Sequence, residues 1–366
     1  MRAAFWSACV LALAPAAGWS QLTEAEQQGI DDALMVSGLR RSDFTYARQP
    51  FAPRKMLPLV EAGLMRPFDA AGQLMKLQAS SKEGAFPTIQ RGLFEVLGVE
   101  AKRSLLPQGP GLTSLPDGLR QPVSGLVQSL LEADKEIRLA LRNLKPEEQR
   151  ILIEGLPRWG VEESRVSFDF VKLPSPQESA LMDLLAKVEV GRILAAGGVL
   201  TDRMKDILPK LAGFKGDLPS PLRLRVGEMI VEIKGRGSDL HTSSDARLVV
   251  DLGGDDTYSC RAGAGIGYSS LLIDLGGDDQ VKGRDLSLGA GLLGVGIACF
   301  IGGDDRFATG SLSLGSGLAG MGVFMKSGGN DVYSSKTLSQ GFGLAGFGLM
   351  SDDAGSDSYD GQLFVQ

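Results

Sequence analysis

Leu286–Ile297 reads LSLGAGLLGVGI, Leu312–Val323 reads LSLGSGLAGMGV, and Leu338–Leu349 reads LSQGFGLAGFGL. Glycine returns at 289, 291, 294 and 296, at 315, 317, 320 and 322, and at 341, 343, 346 and 348. In each copy the first two glycines share one parity and the last two the other. The larger residues take the opposite parity: Leu286 and Leu288 before the switch, Leu293, Val295 and Ile297 after it. Alternate residues of a strand face opposite sides, so each copy is expected to form two short strands joined at a bulge or corner, with one face apolar and the other nearly bare. Glycine inside a strand costs roughly 0.5–1 kcal/mol relative to alanine. Repeating that cost implies a geometric need. Close packing of the protein's own helices or of another coil is the expected one; an exposed flat face for a glycan or partner is the alternative.

A Gly/Asp turn carries the period further back: Gly237-Ser238-Asp239, Gly254-Asp255-Asp256, Gly277-Asp278-Asp279, Gly303-Asp304-Asp305, Gly329-Asn330-Asp331 and Gly355-Ser356-Asp357. The last position of each falls at 239, 256, 279, 305, 331 and 357, in steps of 17, 23, 26, 26 and 26 residues. A period of that size marks a stacked repeat whose units bury their apolar faces against their neighbours. The expected fold class is α+β and multidomain: an N-terminal α-helical domain, then a C-terminal all-β repeat domain, β-solenoid or β-helix-like, of five or six coils. One hairpin per repeat, in a meander or barrel, is the alternative.

Two residues after each turn aspartate stand His241, Tyr258, Val281, Phe307, Tyr333 and Tyr359, a column expected to stack in the core with His241 at its end. The turn with its following residue resembles the RTX nonapeptide G-G-x-G-x-D-x-U-x, and Gly235-Arg236-Gly237-Ser238-Asp239-Leu240-His241 matches it most closely. That resemblance implies calcium bound between successive coils by aspartate side chains and glycine carbonyls. Physics frames the same choice. Coils stacked about 4.8 Å apart line up Asp256, Asp279, Asp305, Asp331 and Asp357 as like charges that backbone amides or a cation must neutralise. Either each aspartate caps its own turn, or calcium sits between coils on Asp255, Asp256, Asp278, Asp279, Asp304 and Asp305, with Asn330, Asp331 and Asp357 continuing the column.

Composition narrows the chemistry. The net charge of −6 hides a repeat half that carries sixteen Asp, no Glu and eight basic residues from Gly235 onward. Short carboxylates used without Glu point to turns or a cation, and an acidic half argues against nucleic acid. The G-x-G-x-x-G of each repeat runs into another Gly/Asp turn rather than a βαβ unit, so nucleotide binding is not expected. His241 is the single histidine, which removes Ser-His-Asp and Cys-His catalysis and a histidine-based zinc site as expectations. Cys260 and Cys299 read as small apolar side chains. No catalytic residue is assigned. A non-catalytic structural or binding protein is the leading reading; a carbohydrate-active enzyme using Asp304 and Asp305 is the rival, with Asp285, Asp352 and Asp353 equally eligible.

Arg2, the apolar run Ala3 to Ala14 and the small residues Gly18 and Ser20 read as a secretory signal over 1–20, too short to span a bilayer. An exported protein, periplasmic, surface-exposed or secreted, is expected, with a glycan or cell-surface protein as partner. Residues 21–215 read as helical, with helices expected over Lys55–Leu77, Pro122–Leu144, Pro146–Glu154 and Gln177–Ala196, and a Thr23/Glu26 capping box. Leu106–Gly111 is expected to divide two helical groups, and Glu162, Glu163 and Glu178 to lie on solvated helix faces. A linker and entry strand occupy 216–234, the strand alternating over Leu222–Ile233 with a slip near Gly227. The repeat domain covers 235–366, and its last coil is expected to pair edge-to-edge with another chain.

Overall fold

The structure is a computed structural model that describes residues 24–39, 112–165, 175–216, 218, 220–363 and 365. The chain divides into two compact units, Met1–Glu100 and Ala101–Gln366. In the first, the described residues form one helix, α1 (Glu24–Val36). The signal reading, Thr23 of the capping box, the Lys55–Leu77 helix and the Leu106–Gly111 break lie outside the described residues.

Among the described residues of the second unit, four helices precede the repeats. Helix α2 (Asp117–Ala140) starts five residues before the expected Pro122, after Pro116. Helix α3 (Pro146–Arg165) runs through Gly155 and Pro157, where the expected helix ended; a Cβ at Gly155 would press on Leu181, so the glycine admits the neighbouring helix. The expected Gln177–Ala196 helix is two, α4 (Pro176–Leu185) and α5 (Val190–Ala212). The break holds no glycine or proline. Ala186–Glu189 instead turns through Val188 N donating to Leu185 O and Glu189 N donating to Ala140 O, so packing onto α2 redirects the chain. Glu178 is not a free surface acid: it completes a capping box with Ser175 at the start of α4.

The entry strand is a hairpin, β1 (Leu222–Val226) and β2 (Met229–Lys234), and the slip in its pattern is the reversal at Gly227, whose φ is 61°. Strand β3 (Leu240–His241) follows, then β4 (Ala246–Asp251) and β5 (Thr257–Tyr258). Four three-stranded coils come next: β6 (Gly265–Ile266), β7 (Ser269–Asp274) and β8 (Gln280–Lys282); β9 (Gly291–Leu292), β10 (Val295–Ile301) and β11 (Arg306–Ala308); β12 (Gly317–Leu318), β13 (Met321–Ser327) and β14 (Val332–Ser335); β15 (Gly343–Leu344), β16 (Phe347–Asp352) and β17 (Ser358–Gly361). Like strands stack into three sheets, ordered β1-β2-β4-β7-β10-β13-β16, β17-β14-β11-β8-β5-β3 and β15-β12-β9-β6. Pairing is parallel and in register everywhere except the β1–β2 hairpin and a bulge at Ile230/Val231. This is a solenoid, and a hairpin meander is excluded. The short steps of 17 and 23 residues fall at the entry; the first holds no strand of the third sheet, whereas the second already includes β6.

The glycines serve the coil-to-coil approach. A Cβ on Gly291 would collide with the carbonyl of Met321 in the next coil. The corner from the third sheet into the first is turned by a non-glycine residue in the left-handed region, Leu293 (φ 50°), Ala319 (48°) and Ala345 (49°) in successive coils. Such a conformation costs an L-residue about 1–2 kcal/mol, so burial on both sides holds it there. Inside the coils Leu272, Ala298, Phe300 and Phe324 meet Tyr258, Phe307 and Tyr333. The intervening residues Val295, Ile297, Met321 and Val323 face the other way, yet each is fully buried, because α2 lies on β7 and α5 on β10 and β13. A polar clasp fixes this contact: Asp134 accepts from the Ser269 backbone N–H and hydroxyl, each at 2.8 Å, and pairs with Arg247.

Gly291→Ala is expected to destabilise the solenoid by about 1–3 kcal/mol, the usual cost of overpacking a core. Urea denaturation read by circular dichroism checks it; an unchanged midpoint would mean the coils do not approach as closely as described.

Candidate functional site

Each turn sends two neighbouring side chains in opposite directions, and each forms its own ladder. Outside, Asp278 N–H donates to Asp255 Oδ1 at 3.0 Å, Asp304 N–H to Asp278 Oδ1 at 2.9 Å, Asn330 N–H to Asp304 Oδ1 at 2.8 Å and Ser356 N–H to Asn330 Oδ1 at 3.1 Å. Inside, the direction reverses. Asp239 N–H donates to Asp256 Oδ1 at 2.5 Å, Asp256 N–H to Asp279 Oδ1 at 2.8 Å, Asp279 N–H to Asp305 Oδ1 at 2.8 Å, Asp305 N–H to Asp331 Oδ1 at 2.7 Å and Asp331 N–H to Asp357 Oδ1 at 3.0 Å. The carboxylates therefore cap the turn of the neighbouring coil, not their own as expected. Each is a charge-assisted bond between coils.

The outer residues Asp255, Asp278, Asp304 and Asn330 are exposed, whereas Asp256, Asp279, Asp305 and Asp331 are at most 2% exposed. So the nine candidate ligands separate into two rows, and the adjacent pairs Asp255/Asp256, Asp278/Asp279 and Asp304/Asp305 do not converge on one point. What does converge on the inner row is the last part of the first sheet. Five residues before each turn aspartate stand Lys234, Asp251, Asp274, Phe300, Lys326 and Asp352, in register across β2, β4, β7, β10, β13 and β16.

Lys326 shows what this position can hold. Its buried ammonium donates to the carbonyls of Gly302 at 2.7 Å, Gly303 at 3.0 Å and Gly328 at 2.5 Å, and lies 3.2 Å from Asp305 Oδ2 and 3.5 Å from Asp331 Oδ2. Five oxygens thus surround one positive charge between two coils. Where the position is acidic, three ligating groups gather within 4.8 Å instead: His241/Asp251/Asp256, Asp256/Asp274/Asp279 and Asp331/Asp352/Asp357. In the first, His241 Nε2 lies 2.8 Å from Asp251 Oδ2. In the second, Asp274 accepts from the Tyr258 hydroxyl and from Gly276 N–H at 2.9 Å. In the third, Asp352 Oδ2 accepts from the Tyr333 hydroxyl at 2.7 Å. Asp256 Oδ2, Asp331 Oδ2 and Asp352 Oδ1 are buried with no hydrogen-bond partner. Buried acidic groups here are able to hold a metal ion.

The aromatic column stacks as expected, His241 on Tyr258 at 4.1 Å, Phe307 on Tyr333 at 5.0 Å and Tyr333 on Tyr359 at 4.8 Å. His241 does more than end that column, since it also meets Asp251. Asp251, Asp274 and the two lysines are absent from the expected site residues and Asp352 is named only as an eligible catalytic acid, although their constant offset of five residues from the turn aspartate is readable in the sequence. Cys260 and Cys299 are buried free thiols. No protein-family model matches this chain, and neither a curated protein nor a solved structure matches it.

Burial, then the charge of Asp251, pushes the Asp256 carboxyl from 3.8 to about 8. Burial also raises Asp279 to about 6 and Asp305 to about 7, the latter despite Lys326 beside it. A raised acid stabilises the fold fully below its unfolded value and loses that contribution as pH climbs through its folded value. In the presence of a chelator, the melting temperature is therefore expected to fall between about pH 4 and pH 8, and Asp256→Asn to flatten the decline. Thermal melts across that range check it; a metal-free stability that rises over the same window would contradict it.

Proposed function

We propose that this is an exported, non-catalytic structural or binding protein whose solenoid is stabilised by calcium between its coils. Export rests on Arg2 and the apolar run from Ala3 to Ala14. Calcium rests on one observation above the others: Asp256 Oδ2 and Asp352 Oδ1 are buried without hydrogen-bond partners, inside groups made of oxygen donors. Calcium is a hard cation that takes six to eight such oxygens, and at the coil interface it would neutralise charges that stacking forces together. Acid/base catalysis by Asp304 and Asp305 finds no support in the geometry. Asp304 is exposed, whereas Asp305 is 0% exposed, bonded to Asp279 N–H and paired with Lys326, so the two do not face one substrate.

Chelation with EDTA is expected to lower the melting temperature of the repeat domain, and added calcium to restore it. At calcium about a hundredfold above its dissociation constant the gain is about 2.7 kcal/mol. Identical melting curves with and without calcium would remove the cation from the account.

A binding role has its own support. A polar trough of about 510 Å³ crosses four coils, lined by Gly283, Arg284, Asp285, Thr309, Lys336 and Asp360 among others. Thr309 Oγ1 is buried there without a partner. Hydroxyl-rich ligands suit this mixture of both charges and hydroxyls, which favours a glycan. A glycan array probed with the wild type and with Lys336→Ala is expected to show binding that the variant loses; equal signals from both would exclude the trough.

A further inference from the structure

The inner row has a rule for how its charge is met. At the lysine position of β13, the chain supplies its own cation: Lys326 sits among three carbonyls and two carboxylates and joins two coils. Lys234 supplies a positive charge at the entry, within its own coil, its ammonium donating to the Leu240 carbonyl at 3.0 Å and lying 3.6 Å from Asp239 Oδ1. At the acidic positions the sign is reversed at an equivalent place in the stack. Asp251 is answered by His241 and by Gly253 N–H. Asp274 is answered by a phenol and one amide, both neutral, and Asp256 beside it is 1% exposed with Oδ2 unpartnered. Three carboxyl groups so confined need positive charge, as their counterparts at Lys326 have it.

Building on the cation reading above, we propose that a charged residue five positions before a turn aspartate selects how that inter-coil site is filled: lysine fills it with the protein's own ammonium, and an aspartate with no histidine against it makes it a divalent-cation site. The principal site is Asp256, Asp274 and Asp279; a second, Asp331, Asp352 and Asp357, is weaker, because Asp331 Oδ2 already lies 3.5 Å from the Lys326 ammonium. The outer residues Asp255, Asp278 and Asp304 are not ligands; they hold turns together. A small hard divalent cation fits three carboxylates, since each brings formal charge and oxygen only. The selection also explains why the aspartate row need not be uniform along the solenoid: the chain's own ammonium and an acquired ion are interchangeable solutions to one electrostatic requirement.

The test uses the full chain, stripped with chelator and titrated with calcium by calorimetry, and with terbium as a luminescent probe. Asp274→Asn is expected to remove one calcium per chain or weaken that site by at least about tenfold, because it deletes one of three charges. Asp278→Asn, in the outer row, is expected to leave the stoichiometry unchanged. Lys326→Asp is expected to add one calcium, with a fold that depends on it. Tyr258→Phe keeps the ring in its stack and is expected to remove tyrosine-sensitised terbium emission from the principal site; it decides the matter if Asp274→Asn does not fold. Calcium uptake that survives Asp274→Asn but is lost in Asp278→Asn would end this assignment and leave a calcium-stabilised repeat standing. Persistence of the full tyrosine-sensitised emission in Tyr258→Phe would also overturn it. A wild type that takes up no calcium at all would end both readings.

Discussion

Parallel coils in register place each side chain about one strand spacing from its copy in the next coil, and everything else in the solenoid answers to that repetition. For apolar residues it is favourable: Phe307 on Tyr333 and His241 on Tyr258 pack ring on ring. For carboxylates it is a penalty that grows with burial. Asp256, Asp279, Asp305 and Asp331 run through the interior as a line of like charges. The backbone lends each one an amide from the neighbouring coil, and the remaining oxygen is left to find something else.

The same repetition explains the two oddities of the backbone. Coils that approach this closely leave no room for a Cβ at Gly291 or at Gly303, where one would strike the carbonyl of Gly277. Side chains are then needed elsewhere to fill the interior, and some occupy positions that glycine would suit better. Leu293, Ala319 and Ala345 sit in the left-handed region because the corner must turn there while its side chain still packs. The helices complete the arrangement by covering the apolar outer face of the long sheet, with Asp134, Ser269 and Arg247 satisfying one another at the seam.

Function follows from what such a rod can offer. Its interior chemistry joins coils rather than contacting a substrate, since the reactive-looking acids are buried and the single histidine is spent on a stacked ring and a buried carboxylate. Its exterior offers a polar trough over successive coils. On the reading proposed above, such a scaffold would hold or bind rather than turn over a substrate.

Period and parity along the chain were enough to determine the repeats, the corner within LSLGAGLLGVGI and the aromatic column. These depend on local pattern, which a stack copies coil after coil. Helix boundaries were less legible, as at Ala186–Glu189, where the break is made by Glu189 N–H reaching Ala140 O across the fold. Only the tertiary structure decided which atoms each carboxylate meets. Adjacent aspartates look like a ligand pair in sequence, but a strand sends them to opposite sides. The true neighbours of Asp256 and Asp331 stand in another sheet or another coil, and it took the closed path of the chain to bring Asp274 and Lys326 to them.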